Sequence, residues 1–192
     1  MKIVGLDPSL RNTGIAIATF DPILMDYTVD QLELAATEKE SGKKVRQNSD
    51  DLRCARIISM KIREACNDAV FAISEVPTGA QSSRAAFSFG IVLGVLANLA
   101  VPLIQVSPSE VKMATVGHKT ASKLEMINWA VGRHPNVNWL RHQRNGKDYQ
   151  KGDLMNDNEH LADACAVIAA GVRSDEFQQA VAMFSYASRR AA

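Results

Sequence analysis

Lys2-Ile3-Val4-Gly5-Leu6-Asp7-Pro8-Ser9-Leu10-Arg11-Asn12-Thr13-Gly14-Ile15-Ala16-Ile17-Ala18-Thr19 reads as two apolar strands around a short polar loop. The first strand, residues 2–6, delivers Asp7 at its end; an Asp before a Pro is also a common way to begin a turn. The second strand covers residues 13–19, and residues 24–34 hold a third. Residues 38–48 are polar and read as a loop. Ser49 then caps a helix with Asp50 and Asp51 in its first turn. Leu52, Ala55, Ile58, Ile62, Ala65 and Ala69 recur at helical spacing along it.

Val70-Phe71-Ala72-Ile73 is a short apolar strand that ends at Ser74-Glu75. After the turn at residues 76–79 comes a helix over 82–100, with Gly90 and Gly94 on one face where another backbone could approach. Leu103-Ile104-Gln105-Val106 is the next strand. Ser107 or Ser109 caps a short helix, and Thr120 caps another that ends near Gly132. Residues 136–155 are polar and irregular, a length that marks a functional or a disordered loop. Asn156 or Asp157 caps a helix to Gly171, and Ser174-Asp175-Glu176 starts a last helix and tail over 174–192. This order predicts one α/β domain over 1–192 with a mixed sheet.

The 192 residues carry 22 Lys+Arg against 21 Asp+Glu and are 46% hydrophobic, which excludes wholesale disorder. Cys54, Cys66 and Cys165 lack CxxC spacing, so neither a disulfide scaffold nor a zinc ribbon is expected. They read as buried thiols in a reducing compartment. No signal or transit segment is read before the first strand, and the expected location is the cytoplasm of a bacterial or infected host cell, not a secreted one. Residues 85–109 hold no charge, and they read as a buried helix and a buried strand in preference to a membrane span.

Charge is unevenly placed. Residues 110–151 hold Lys112, Lys119, Lys123, Arg133, Arg141, Arg144, Lys147 and Lys151 against Glu110, Glu125 and Asp148, with His118, His134 and His142 besides. Residues 152–170 hold Asp153, Asp157, Glu159 and Asp163 and no Lys or Arg. A basic segment beside an acidic cluster fits a polyanion held against bound cations, or a solvated loop with scattered charge.

Asp163 is the one polar position in Leu161–Ile168. A buried carboxylate without a partner is costly, and no cation is near in sequence, so a divalent metal is the natural candidate. His160 lies three residues before Asp163 and Glu159 four before it, spacings that share a helix face. Carboxylate ligands suit Mg²⁺ or Mn²⁺.

Together these segments resemble the RuvC-type Holliday-junction resolvases of the RNase H-like nuclease superfamily. Gly5-Leu6-Asp7-Pro8-Ser9-Leu10-Arg11-Asn12-Thr13-Gly14 is similar to their first motif and Phe71-Ala72-Ile73-Ser74-Glu75 to their second. Val111-Lys112, Val116-Gly117 and Lys123 are similar to the basic segment, and His160-Leu161-Ala162-Asp163-Ala164 to the closing motif. The resemblance spans roughly residues 2–172. It implies a five-stranded mixed sheet flanked by helices, and Asp7, Glu75, His160 and Asp163 as catalytic and metal-binding residues. It implies a homodimer through the helix near 82–100 that cuts four-way DNA into 5′-phosphate and 3′-hydroxyl products. The loop Val76–Gln81 carries no aromatic, where bacterial members have one, and the basic stretch Trp139–Gly152 is longer than theirs.

Two divalent ions can activate the nucleophile, stabilise charge on phosphorus and assist the leaving group. The expected assignment is Asp7 bridging both ions, Glu75 on one side, and Asp163 and His160 on the other. Lys112, Lys119 and Lys123 would neutralise phosphates, Arg141, Arg144, Lys147 and Lys151 would add an arm, and Arg84 is a further DNA contact or a solvating helix-end charge. Nothing identifies a branch-migration partner. Competing readings are an actin-like ATPase or sugar kinase, a non-catalytic junction binder, and an RNase H-like nuclease on other branched or hybrid nucleic acid. The first is disfavoured by Ser9, where a phosphate loop carries Gly, and by Pro8, which removes an amide donor.

Overall fold

The alternation of apolar residues on two faces is what builds the sheet. In β1 (Lys2–Asp7), Ile3 packs into one apolar core while Val4 and Leu6 pack into another. In β2 (Asn12–Asp21), Ala16, Ala18 and Phe20 face the first core and Ile15 the second. Burial on both faces requires helices on both sides. The structure, a computed structural model, describes residues 1–38, 46–76 and 79–191, the last five of these by backbone alone.

β1, β2 and β3 (Asp26–Ala36) form an antiparallel meander. β4 (Phe71–Glu75) and β5 (Leu103–Val106) run parallel to β1 on its other side, giving the order β3-β2-β1-β4-β5. The expected five-stranded mixed sheet is therefore present. Helices α1 (Gln47–Ala65) and α2 (Ser83–Ala97) cover one face. Helices α3 (Pro108–Thr115), α4 (Lys123–Arg133), α5 (Asn158–Gly171) and α6 (Asp175–Ala191) cover the other. α6 belongs to the core, because Phe177 and Val181 are buried beneath it.

Several expected boundaries are corrected. α1 begins at Gln47, so Ser49 lies inside its first turn, and the Arg46 cap position has no side-chain bond. Its buried face is Asp50, Asp51, Cys54, Ile58, Ile62 and Ala65; Leu52 is 53% exposed and Ala69 lies beyond the helix. Ser122, not Thr120, caps α4, through a reciprocal bond with Glu125. Ser107 caps α3 in the same way with Glu110. The third strand begins at Asp26, leaving Leu24 exposed at the hairpin tip. Asp157 occupies the cap position of α5 without a side-chain bond.

The uncharged stretch is corrected most. α2 buries only Val92 and Leu96, and a Cβ added at Gly90 or Gly94 would meet nothing. β5 is an edge strand with Gln105 exposed. Among the described residues no helix is long and apolar enough to cross a membrane. Cys54, Cys66 and Cys165 are free and buried. Residues 39–45 of the polar loop and Pro77-Thr78 of the turn lie outside the described residues.

Candidate active site

Strand parity puts Asp7 and Glu75 on the same face. Gly5 pairs with Ile73 and Leu6 with Ser74 across the parallel β1–β4 ladder, so the next position on each strand carries an acid. Both side chains leave the C-terminal ends of their strands toward α5. That helix lies close on the sheet because Gly5 and Gly14 have no side chains there. A Cβ on Gly5 would collide with the Ala164 carbonyl, and one on Gly14 with the His160 carbonyl. Gly14 sits opposite Asp7 in the β1–β2 register. The close contact thus brings the first turns of α5, with His160 and Asp163, over Asp7.

His160 Nδ1 lies 2.9 Å from Asp7 Oδ2, and this bond holds the imidazole pKa above its ordinary value against the opposing effect of burial. Burial pushes Glu75 up to about 7, with Asp7 adding and Lys112 relieving. Burial likewise pushes Asp163 up to about 7, reinforced by Asp7 and then Glu75. Each acid perturbs the next because all share one half-buried cleft. Among the described residues no three His, Cys, Asp or Glu side chains close to metal-ligand geometry; His160 reaches Asp7 through Nδ1 at 2.9 Å and Glu159 through Nε2 at 3.7 Å. The donors, three carboxylates and an imidazole, are nonetheless of the type that holds a hard divalent cation.

The basic residues divide into three groups. Lys112 acts on Glu75 electrostatically, and Lys123 Nζ bonds Glu159 at 2.8 Å, one residue from His160. The helix α5 is thus not without a cation, as its sequence neighbourhood implied; Lys123 supplies one from the start of α4. Asp163 itself is half-buried, not enclosed. Arg84 is paired within the chain: both its terminal nitrogens bond Asp51, which is 2% exposed, and it lies over the Phe87 ring. Lys119, Arg141, Arg144, Lys147 and Lys151 are exposed, Arg141 with one nitrogen on the Gly152 carbonyl.

Sequence spacing gave no sign of the ion-pair set behind the site. Arg11, in the loop after Asp7, bonds Asp50 at 2.6 Å, and Arg53 bonds the same carboxylate at 2.7 Å. Asp50 and Asp51 read as first-turn helix residues, yet both are buried and bridge α1 to the catalytic loop and to α2. Asn158 was also missed. It is fully buried at the start of α5 and bonds the backbone of Leu140 and Met155.

No protein-family model matches the chain, and no curated relative does. Solved structures do. Thermus thermophilus RuvC in complex with a Holliday junction is 19% identical, with a TM-score of 0.62, over 94% of this chain and 97% of that one. T. thermophilus RuvC by itself matches at 18% identity and a TM-score of 0.55, covering 88% and 92%. Fowlpox virus resolvase with its Holliday junction DNA matches at 16% identity and a TM-score of 0.51, covering 94% and 99%. The chain shares its fold with these proteins along nearly their whole lengths.

Proposed function

We propose that this chain is a metal-dependent, structure-selective endonuclease that binds four-way DNA junctions and resolves them by paired phosphodiester cleavage. The observation that carries the reading is the convergence of Asp7, Glu75, His160 and Asp163 at one end of the sheet. It occurs in a fold shared with two resolvases whose structures hold Holliday-junction DNA.

Asp7, Glu75, Asp163 and His160 would hold Mg²⁺, for which Mn²⁺ should substitute, as a pair of ions. When bound, these ions supply charge stabilisation on phosphorus and lower the pKa of water. The side chains do the rest. Asp163 would lose its proton to solvent and His160 would present an unprotonated ring nitrogen, so that both could hold an ion and orient an incoming water for in-line attack. The half-buried walls exclude bulk water and strengthen every charge interaction inside. Products with a 5′-phosphate and a 3′-hydroxyl would result from water attacking in line with the P–O3′ bond, which breaks as the 3′-oxygen leaves and takes up a proton. Lys112, which acts on Glu75, and the exposed Lys119 would serve as phosphate contacts, and Lys123 would join them by exchanging Glu159 for a phosphate.

A four-way junction has two-fold symmetry, and paired cuts suit a two-fold protein. The uncharged exposed face of α2, with Phe87, Leu93, Gly90 and Gly94, supports a homodimer built there. Free buried thiols support action in a reducing cytoplasm.

The test is cleavage of a labelled mobile four-way junction by wild type and Asp163→Asn, in Mg²⁺ and in EDTA. Metal-dependent paired nicks in wild type, lost by at least about 10²-fold in the variant with binding retained, is the expected result. Binding without cutting in either metal would make the protein a non-catalytic junction binder. Cutting of RNA–DNA hybrids in place of junctions would make it a nuclease of another substrate class.

A further inference from the structure

Residues 139–155 contain no helix or paired strand, yet they are built as closely as one. At the outgoing end Asn138 pairs with both backbone groups of Leu32 on the edge strand, at 3.0 and 2.8 Å. At the returning end the fully buried Asn158 side chain bonds Leu140 N–H and both the Leu140 and Met155 carbonyls, at 2.9, 2.7 and 2.9 Å. One amide thereby ties the two ends of the segment to the first residue of α5, two positions before His160. Further out, Arg141 bridges Leu154 in antiparallel fashion, and His142 and Gly152 exchange backbone bonds with Asp153 and His142 at 2.9 Å.

The tip is closed by rings. His142 and Tyr149 stack with centroids 3.6 Å apart and planes 12° from parallel. Gly146 lies against the same tyrosine ring, where a Cβ would collide with Tyr149 Cζ. An exposed aromatic among cations is usually read as a platform for an unpaired base. Here the Tyr149 ring is already stacked on His142 and lies against Gly146 within the loop, although 42% of the residue is exposed. The exposed charge of the tip is mainly basic: Arg144, Lys147 and Lys151 are exposed and carry no ion pair among the described residues, against an exposed Asp148.

We infer that residues 139–155 form a preassembled phosphate-gripping arm that holds a duplex branch of the substrate beside the catalytic helix and reads no bases. The inference rests on the nuclease reading above and specifies how that site engages its DNA. Phosphate contacts fix position and register, while sequence is read only at base edges. The arm therefore contributes affinity and salt dependence, and leaves the choice of cleavage sequence to the cleft. Preassembly matters because ordering a long polar loop on binding would offset much of what its cations contribute.

The test uses the full chain and a four-way junction with duplex branches long enough to pass the arm. Arg144→Ala with Lys147→Ala should lower the slope of log K against log salt by about two. Kd and KM should rise together by roughly tenfold at moderate salt, with the cleavage positions unchanged. Gly146→Val keeps every charge and displaces Tyr149; it should weaken binding in the same direction. An unchanged salt slope in the double variant overturns the grip. Altered cleavage positions overturn the claim that no bases are read. Wild-type binding by Gly146→Val overturns preassembly. Only the KM and cleavage-position readings require a wild-type protein that cuts junctions. If wild type does not cut, the nuclease reading fails first, and the salt slopes still report whether the arm touches DNA.

Discussion

At Asp163 burial and the neighbouring Asp7 and Glu75 carboxylates together hold the carboxyl near 7, so near neutral pH a good fraction is protonated. The same holds at Glu75. A metal ligand must be deprotonated, so cleavage in Mg²⁺ should rise steeply from about pH 6 to pH 8 and then level. A pH–rate profile flat over that window would contradict the coupling. His160 should titrate by NMR above the ordinary histidine range, because its bond to Asp7 favours the protonated ring. In Asp7→Asn that titration should move down, burial then being unopposed by the Asp7 charge. The penalty at Asp163 also has a stability side. Asp163→Asn should raise the stability of the metal-free protein at pH 8 by about 2 kcal/mol while abolishing cleavage. Thermal unfolding in EDTA measures the first and the junction assay the second. Asp163 and His160 stood out in sequence, since an acid in an apolar helix and a three-residue spacing are local features; Asp7 and Glu75 were grouped with them through the resemblance.

Among the elements, α5 decides the site, and it does so through what β1 and β2 omit. Gly5 and Gly14 allow the helix backbone to rest on the sheet, so Ala at either position must push α5 away. Gly14→Ala should cost about 1–3 kcal/mol by overpacking and lower cleavage further than the stability loss explains, because the His160 carbonyl is the group displaced. Chemical denaturation and cleavage at a temperature where the variant is fully folded separate the two effects. The Asp51–Arg84 pair does comparable work for α2. Arg84→Ala leaves a carboxylate that is 2% exposed without its cation, so amide protection at the start of α2 should fall while that of α5 stays as in wild type. Neither device was visible in the chain, where Arg84 reads as a solvating charge and Asp51 as a first-turn acid. Their partners lie 33 residues apart, and only the packing of α1 against α2 makes them neighbours.

For the whole molecule, opposing titrations shape the dependence of stability on pH. The raised pKa values of Glu75 and Asp163 mean the folded state holds protons that the unfolded chain has lost. That contribution is fully present below about pH 4 and is lost as pH rises to about 7. His134 runs the other way. Burial first, and Arg133 second, lower its pKa to about 4, so its contribution is present above about 6.5 and lost as pH falls to about 4. Two acids outweigh one imidazole, so the metal-free wild type should lose stability as pH rises from about 4 to about 7. Glu75→Gln with Asp163→Asn should show stability rising with pH across that interval, as read by denaturation midpoints. At the same scale, the exposed uncharged face of α2 predicts that Leu93→Arg yields a monomer that keeps the fold, by sedimentation and circular dichroism.

The sequence by itself determined the sheet, because apolar alternation with period two and helices between strands leave few other arrangements. The resemblance it carries pointed to four side chains at strand and helix ends, of which the structure bonds His160 to Asp7 and couples Asp163 to Asp7 and Glu75. Only the tertiary structure decided how they are held. The close seating of α5 on two glycines, the lysine from α4 on Glu159, the arginines on buried Asp50 and Asp51, and the ring-closed arm tied down by Asn158 all join residues distant in the chain. Local rules reach a few residues along the backbone. A buried charge or a close backbone contact is settled by whichever element packs there, and no spacing along the chain records it.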